Sequence, residues 1–226
     1  DQKGWLYFTR EIFDQPNPSC GDTTPTYNGA IGMTYEQAGG PAGGAAALTA
    51  DGDTLSLLDR INHHHTTGLS TIEISSINNA KLISEFKKYF DDAVNNGIGE
   101  YKTYVIRHAE KDRQRISSLQ SLLAKNQITF SRGKQGSYRG LNYDNGREES
   151  FNLGPDDLII PSNQPRGALV KVLFEPNTLV VDSNTYDITA WALPYVYGLK
   201  AYAVKQTISQ QQNYTSEPEI SNSNLP

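Results

Sequence analysis

The chain has almost no cysteine. Cys20 is the only one in 226 residues. A lone thiol excludes an intrachain disulfide and any Cys-rich zinc site, and it decides little about redox compartment. Histidine is scarce as well, with His63, His64, His65 and His108 making up the set. Thr66, Thr67, Gly68 and Lys111 stand three residues after them. No His-x-x-Glu pair, a frequent zinc-holding spacing, therefore exists. Neither G-x-G-x-x-G nor G-x-S-x-G occurs, which removes the dinucleotide fingerprint and the nucleophile elbow. No run approaches the ~18 apolar residues that a membrane helix needs. A basic footprint is missing too. The net charge is −5. Through Ile98 there are 6 Lys and Arg against 12 Asp and Glu, and from Gly99 onward 14 against 13. Neither half fits nucleic-acid binding by phosphate neutralisation.

What is present suits a packed protein. Apolar residues make up 37% and aromatic residues 10%, with 13 tyrosines, so a sizeable core can form. A charged fraction of 20% is ordinary for a globular chain. The length fits one large domain or two small ones. No internal repeat is visible. The opening DQKGWLYFTREIF reads as an element already in progress, so the chain is expected to be a fragment or a processed product.

Two composition shifts organise the sequence. Residues 38–53, AGGPAGGAAALTADGD, predict a loop with close backbone approach, after which Asp53 or Thr54 caps a helix. Leu55, Leu58, Ile61, His65, Leu69, Ile72, Ser76, Ala80, Ile83, Phe86 and Phe90 then recur at spacings of three and four. They predict one long amphipathic helix to about Val94. Gly68 and the β-branched Thr66, Thr67, Thr71 and Ile72 place a kink or break mid-course, and Asn95-Asn96-Gly97 closes it. Lys87-Lys88 and Asp91-Asp92 read as a solvated face. His65 lies on the apolar stripe and is expected to be buried and hydrogen-bonded. Adjacent histidines on a helix point about 100° apart, so His63, His64 and His65 do not converge on a metal.

The second half reads as strand, helix, strand. Thr103–Arg107 is a buried-type strand, 112–125 an amphipathic helix carrying Ile116, Leu119, Leu122 and Leu123, and Ile128–Phe130 the next strand. A unit of roughly 30 residues in that order predicts a parallel pair with a right-handed crossover. Asn145-Gly146 signals a hairpin. Asp157–Ile160 reads as a strand, Gln164–Phe174 as a helix with Pro165 near its start. Residues 185–198 read as helical but interrupted by Pro194, and Lys200–Val204 as a last strand. From about Gln206 the chain is polar and aperiodic, a linker or disordered end.

The stretch NGAIGMTYEQ, Asn28–Gln37, runs apolar into Thr34-Tyr35 and then presents one carboxylate, Glu36. Desolvating a carboxylate at a strand end costs free energy unless it is paired or used. Two readings stand: a solvated rim carboxylate, or a general base in a cleft, with the glycines behind it admitting a substrate backbone.

Residues 19–37, SCGDTTPTYNGAIGMTYEQ, followed by AGG, DGDTL and HHHTTGLSTIE, resemble the end of the catalytic domain of zinc carboxypeptidases. These are the carboxypeptidase A-like metallopeptidases in the form common in Bacteroidetes. The resemblance covers about residues 5–95 and is strongest over TYNGAIGMTYEQAG. It implies that Glu36 is the general base of a zinc-bound water, with Tyr35, Gly39 and Gly40 beside the substrate. It also implies zinc held by a His-x-x-Glu pair and a third histidine. Those ligands, and the arginines that hold a substrate's terminal carboxylate, are expected on polypeptide that precedes this chain. No metal ligand is assigned here, and the chain alone is expected to be inactive. The family's mobile tyrosine has no good match: Asn17 and Cys20 stand where relatives carry tyrosines, and Tyr27 lies closer to the strand. A peptide or protein substrate, export to the periplasm or beyond, and the missing N-terminal half as partner follow from the same resemblance. A sheet edge left bare by that half would be open to homodimer pairing.

The expected fold is α/β. Residues 1–98 form a partial carboxypeptidase-type sheet with a long helix. Residues 99–206 form a small three-layer domain with a mostly parallel sheet, similar to flavodoxin-like or amidotransferase-like domains. Residues 207–226 form a polar tail. Loops leaving parallel strands form the usual crevice, which singles out His108 and Glu110 after the first strand; a plain polar loop is the other reading. Amidotransferase chemistry needs a cysteine in this half, and Cys20 lies outside it. A non-catalytic binding module, from an inactive peptidase relative, is the alternative to the enzyme reading.

Overall fold

The structure, a computed structural model, describes residues 5, 18, 21, 23–35, 45–178 and 192–210. A short helix α1 (Thr23–Thr26) precedes residues 31–35, which belong to no helix or strand. Strands β1 (Ala46–Leu48), inside the segment expected to be loop, and β2 (Thr54–Ser56), where the helix was expected to start, form a two-stranded antiparallel hairpin. The strand expected to end at Glu36 joins neither sheet over the described residues 28–35.

Helix α2 (Leu57–Ile77) starts later than expected, and Ser56 caps it. The Ser56 hydroxyl accepts from the Asp59 amide, and the Asp59 carboxylate accepts from the Ser56 amide. This reciprocal capping box satisfies two end donors at once, which Asp53 and Thr54 are too far upstream to do. The helix runs unbroken through Gly68. The β-branched run is accommodated because Thr67 and Thr71 hydroxyls donate to the carbonyls four residues earlier. The interruption falls instead at Asn78. Its amide and its side chain both donate to Ile74 O, ending α2 before α3 (Asn79–Asn96) begins. The predicted stripe does not become a core. Leu58, Ile61, Leu69, Ile72, Ile83 and Phe86 are exposed, and so is His65.

The C-terminal end of α3 does pack. Ala93 is fully buried, and α3 meets α5 (Gly167–Phe174) where a Cβ on Gly167 would sit 2.3 Å from Ser162 O and 3.5 Å from the Ala93 methyl. Only glycine lets the backbones approach this closely.

The remaining elements build one six-stranded sheet. In chain order they are β3 (Thr103–Ile106), α4 (Arg113–Lys125), β4 (Ser131–Arg132), β5 (Gly136–Asn142), β6 (Arg147–Leu153), β7 (Leu158–Pro161), α5, α6 (Leu193–Val196) and β8 (Ala201–Val204). The spatial order is β4-β7-β3-β8-β5-β6, and every neighbouring pair is antiparallel. This corrects the expected mostly parallel sheet. β3 and β4 do point the same way, but β7 lies between them, so the parallel pair never forms. The slot beside β3 goes to LIIP, whose four residues are all buried.

Ile128–Phe130 is not a strand either. The Gln164 side chain takes the role of a pairing strand there: its Oε1 accepts from Thr129 N (2.7 Å), and its Nε2 donates to Thr129 O (2.9 Å) and Pro161 O (2.6 Å). The Asn145-Gly146 hairpin stands as expected, joining β5 to β6, with Gly146 at φ 67°.

Both sheet faces are buried at the centre, which is why β3 and β7 read as continuous apolar runs. Tyr104, Ile106, Leu158, Ile160, Ala201 and Ala203 meet helices α4, α5 and α6. Val105, Ile159, Val204, Phe151 and Leu153 cluster on the other face with Ile208. Among the described residues, that second face is packed by side chains of the sheet itself and by Ile208. Ile208 also moves the expected start of the tail. Its amide donates to Thr103 Oγ1 (3.0 Å), and Gln210 bridges to Gly133. The fold therefore continues to at least residue 210.

Candidate functional site

Glu36, Gly39 and Gly40 lie outside the described residues. The segment leading to them is described. Ile31, Met33 and Tyr35 line a groove of about 580 Å³ against α2 and α3. Thr67, Thr71, Ile74 and Leu82 form its floor, with Lys81 and Glu85 among the lining residues. Tyr35, expected beside a substrate, turns its hydroxyl to Thr71 Oγ1 at 2.7 Å. Thr71 Oγ1 also reaches Thr67 O at 2.8 Å and the Tyr35 hydroxyl also reaches Met33 Sδ at 3.4 Å, so either hydroxyl can supply the shared proton. Tyr35 thus fastens the segment before Glu36 to the middle of α2. Sequence reading missed this tie, because Thr71 looked like a weak helix former and nothing in its spacing marked a partner 36 positions away.

Tyr27 is held too. It packs against the sheet's helical core, and its carbonyl accepts from the Tyr89 hydroxyl at 3.0 Å. Burial, then the nearby Glu175 carboxylate, push the Tyr27 phenol above its ordinary range. The His63 ring touches Trp5 in a tilted contact, with ring centroids 4.3 Å apart and planes at 55°. His64 and His65 are exposed. Among the described residues, no group of three His, Cys, Asp or Glu side chains comes together in a way that would hold a metal. The described residues do not fit a zinc site.

His108 and Glu110 do not make the expected crevice. Both are exposed, and Glu110 faces Arg113 at 3.6 Å, with both side chains almost bare. The antiparallel order explains the failure. The end of β3 lies beside the starts of β7 and β8, so no row of strand ends opens there. The organising group is Asp157, which sequence reading passed over. It is 3% exposed and accepts from His108 N (2.8 Å) and Gly154 N (2.7 Å), with the Arg107 guanidinium 3.2 Å away. Arg107 also lies over the Phe151 ring, 5.7 Å from its centre. Asp157 ties the end of β3 to the β6–β7 turn. The GPDD spacing before a strand was its only signal, and an acidic turn residue is common enough to pass unremarked.

A second polar cluster closes the β5–β6 hairpin. Glu149 accepts from Asn142 (2.7 Å), Asn145 (3.3 Å) and the Tyr202 hydroxyl (3.0 Å). Those donors, Asn142 foremost, hold its carboxyl below the usual range. Tyr202 stacks on Phe151 at 4.0 Å and 11°. Among the described residues, no helix is long and apolar enough to cross a membrane. No protein-family description, no curated protein and no solved structure matches the chain.

Proposed function

We propose that this chain is the C-terminal portion of a zinc metallocarboxypeptidase that hydrolyses C-terminal peptide bonds. In this reading Glu36 is the general base, and the zinc ligands lie on polypeptide outside this chain. The observation that carries it is the run TYNGAIGMTYEQAG. Two features of the structure support it. The segment entering Glu36 is anchored to α2 through Tyr35 and Thr71, as a positioned base requires. Ile31, Met33, Ile74 and Ile83, all away from the outer stripe of α2, are exposed, a surface suited to cover by the rest of a catalytic domain. The antiparallel sheet of residues 103–210 is the accessory domain in this reading, and its role is structural. The enzyme acts on peptides or proteins in the periplasm or beyond the cell.

The test joins this chain to the upstream half that carries a zinc-binding set and measures release of C-terminal residues. The expected result is metal-dependent release by the joined protein, none by this chain alone, and a loss of at least about a hundredfold in kcat for Glu36→Gln. Release by the joined protein that is indifferent to Glu36→Gln contradicts the reading.

A further inference from the structure

Helix α2 carries an apolar stripe facing away from the groove. Leu58, Ile61, Leu69 and Ile72 are 66%, 55%, 55% and 68% exposed, and His65 between them is exposed as well. At about 100° per residue the five fall within an arc of roughly 80°. Their order is its own mirror image. Leu58 precedes His65 by as many positions as Ile72 follows it, and Ile61 and Leu69 flank it equally.

We propose that this face is a self-association surface on which α2 of a second copy of the chain packs antiparallel, with the two-fold axis at His65. In that register Leu58 meets Ile72 of the second copy, and Ile61 meets Leu69. An isologous contact requires this self-complementarity. Charge fits the same register. The formal charges of α2 are Asp59, Arg60 and Glu73. They fall opposite Thr71, Ser70 and Leu57, so no like formal charges meet. Gly68 has open space around it, which lets the two backbones come close. Other surfaces are less suited. The bare edge of β6 carries Arg147, Glu148 and Glu149, the charges that guard an edge strand against pairing. On α3, Phe86 and Phe90 are already in contact with the chain at Gly29. The four apolar side chains offer roughly 400 Å² per copy, so the pair falls below the size of a permanent interface and makes a weak, reversible dimer. The inference rests on α2 alone and not on the peptidase reading.

Sedimentation of the full chain from micromolar to millimolar concentration tests it. The expected result is a reversible monomer–dimer equilibrium that Ile72→Asp shifts at least about tenfold toward monomer, with unchanged far-ultraviolet circular dichroism. The register is tested in a Cys20→Ser background with oxidised glutathione. His65→Cys should give a disulfide-linked dimer. Ser76→Cys should not, because its two copies stand roughly 30 Å apart in this register. A monomer at every concentration overturns the proposal, even where hydrogen exchange shows the stripe covered from within the chain. Equal cross-linking from positions 65 and 76 overturns it too.

Discussion

The two regions of this molecule hold themselves together differently. Of the 26 buried hydrophobic residues among those described, 25 lie between Tyr104 and Ile208, and Ala93 is the other. Of the 16 large hydrophobic residues left exposed, 14 lie between Ile31 and Val94. The sheet region therefore draws its stability from tertiary burial. The helices α2 and α3 bury little and lean on local devices: a capping box, and the pairs Lys87–Asp91 and Lys88–Asp92 on the surface. Local devices give a few tenths of a kcal/mol to about 1 kcal/mol each, whereas buried side chains give several times that. An amphipathic pattern specifies a helix in both regions; only in one does it find a partner.

Phe174→Ala would sharpen this contrast most. The ring is fully buried and stacked on Tyr104 at 5.4 Å, so the sheet region should lose about 3–5 kcal/mol in urea unfolding. Ile72→Ala, at a large apolar side chain on α2 that is 68% exposed, should stay within about 0.5 kcal/mol. Asp157→Ala comes next. It leaves the His108 and Gly154 amides without their acceptor and should cost about 1–3 kcal/mol, with β3 and β7 losing hydrogen-exchange protection together. Ser56→Ala should cost about 1 kcal/mol, confined to the first turn of α2 and invisible to the sheet.

The smallest effect is a pH dependence. Glu149 is held below its ordinary range in the folded state by Asn142, Asn145 and Tyr202. Its contribution is thus present above the unfolded carboxyl pKa of about 4.3 and is lost as pH falls through the lower folded value. Denaturation midpoints of the wild type should drop more steeply below about pH 4 than those of Glu149→Gln. A steeper drop in the variant contradicts the assignment.

Local signals were legible in this sequence and long-range choices were not. Asn145-Gly146 specified its hairpin because turn chemistry is local, and RISSLQSLLAK specified α4 through its period. The neighbour of β3 was not legible, because Ile128–Phe130 and Leu158–Pro161 are both apolar enough to pair and the choice is made by contacts far along the chain. Gln164, standing in for a strand, has no periodic signature. His65 was misread because a stripe shows where a helix is apolar, not whether anything covers it. At the candidate site, Glu36 was legible only through resemblance. The tie of Tyr35 to Thr71 needed coordinates, and the crevice at His108 and Glu110 followed from a parallel sheet that does not exist.

Native-state hydrogen exchange across the whole chain tests the central contrast most directly. Amides of Thr103–Ile106, Leu158–Pro161 and Ala201–Val204 should exchange only with global unfolding. Those of the outer face of α2 should exchange far faster at low protein concentration and slow as the concentration rises. A single protection level shared by α2 and the sheet, independent of concentration, would contradict the account.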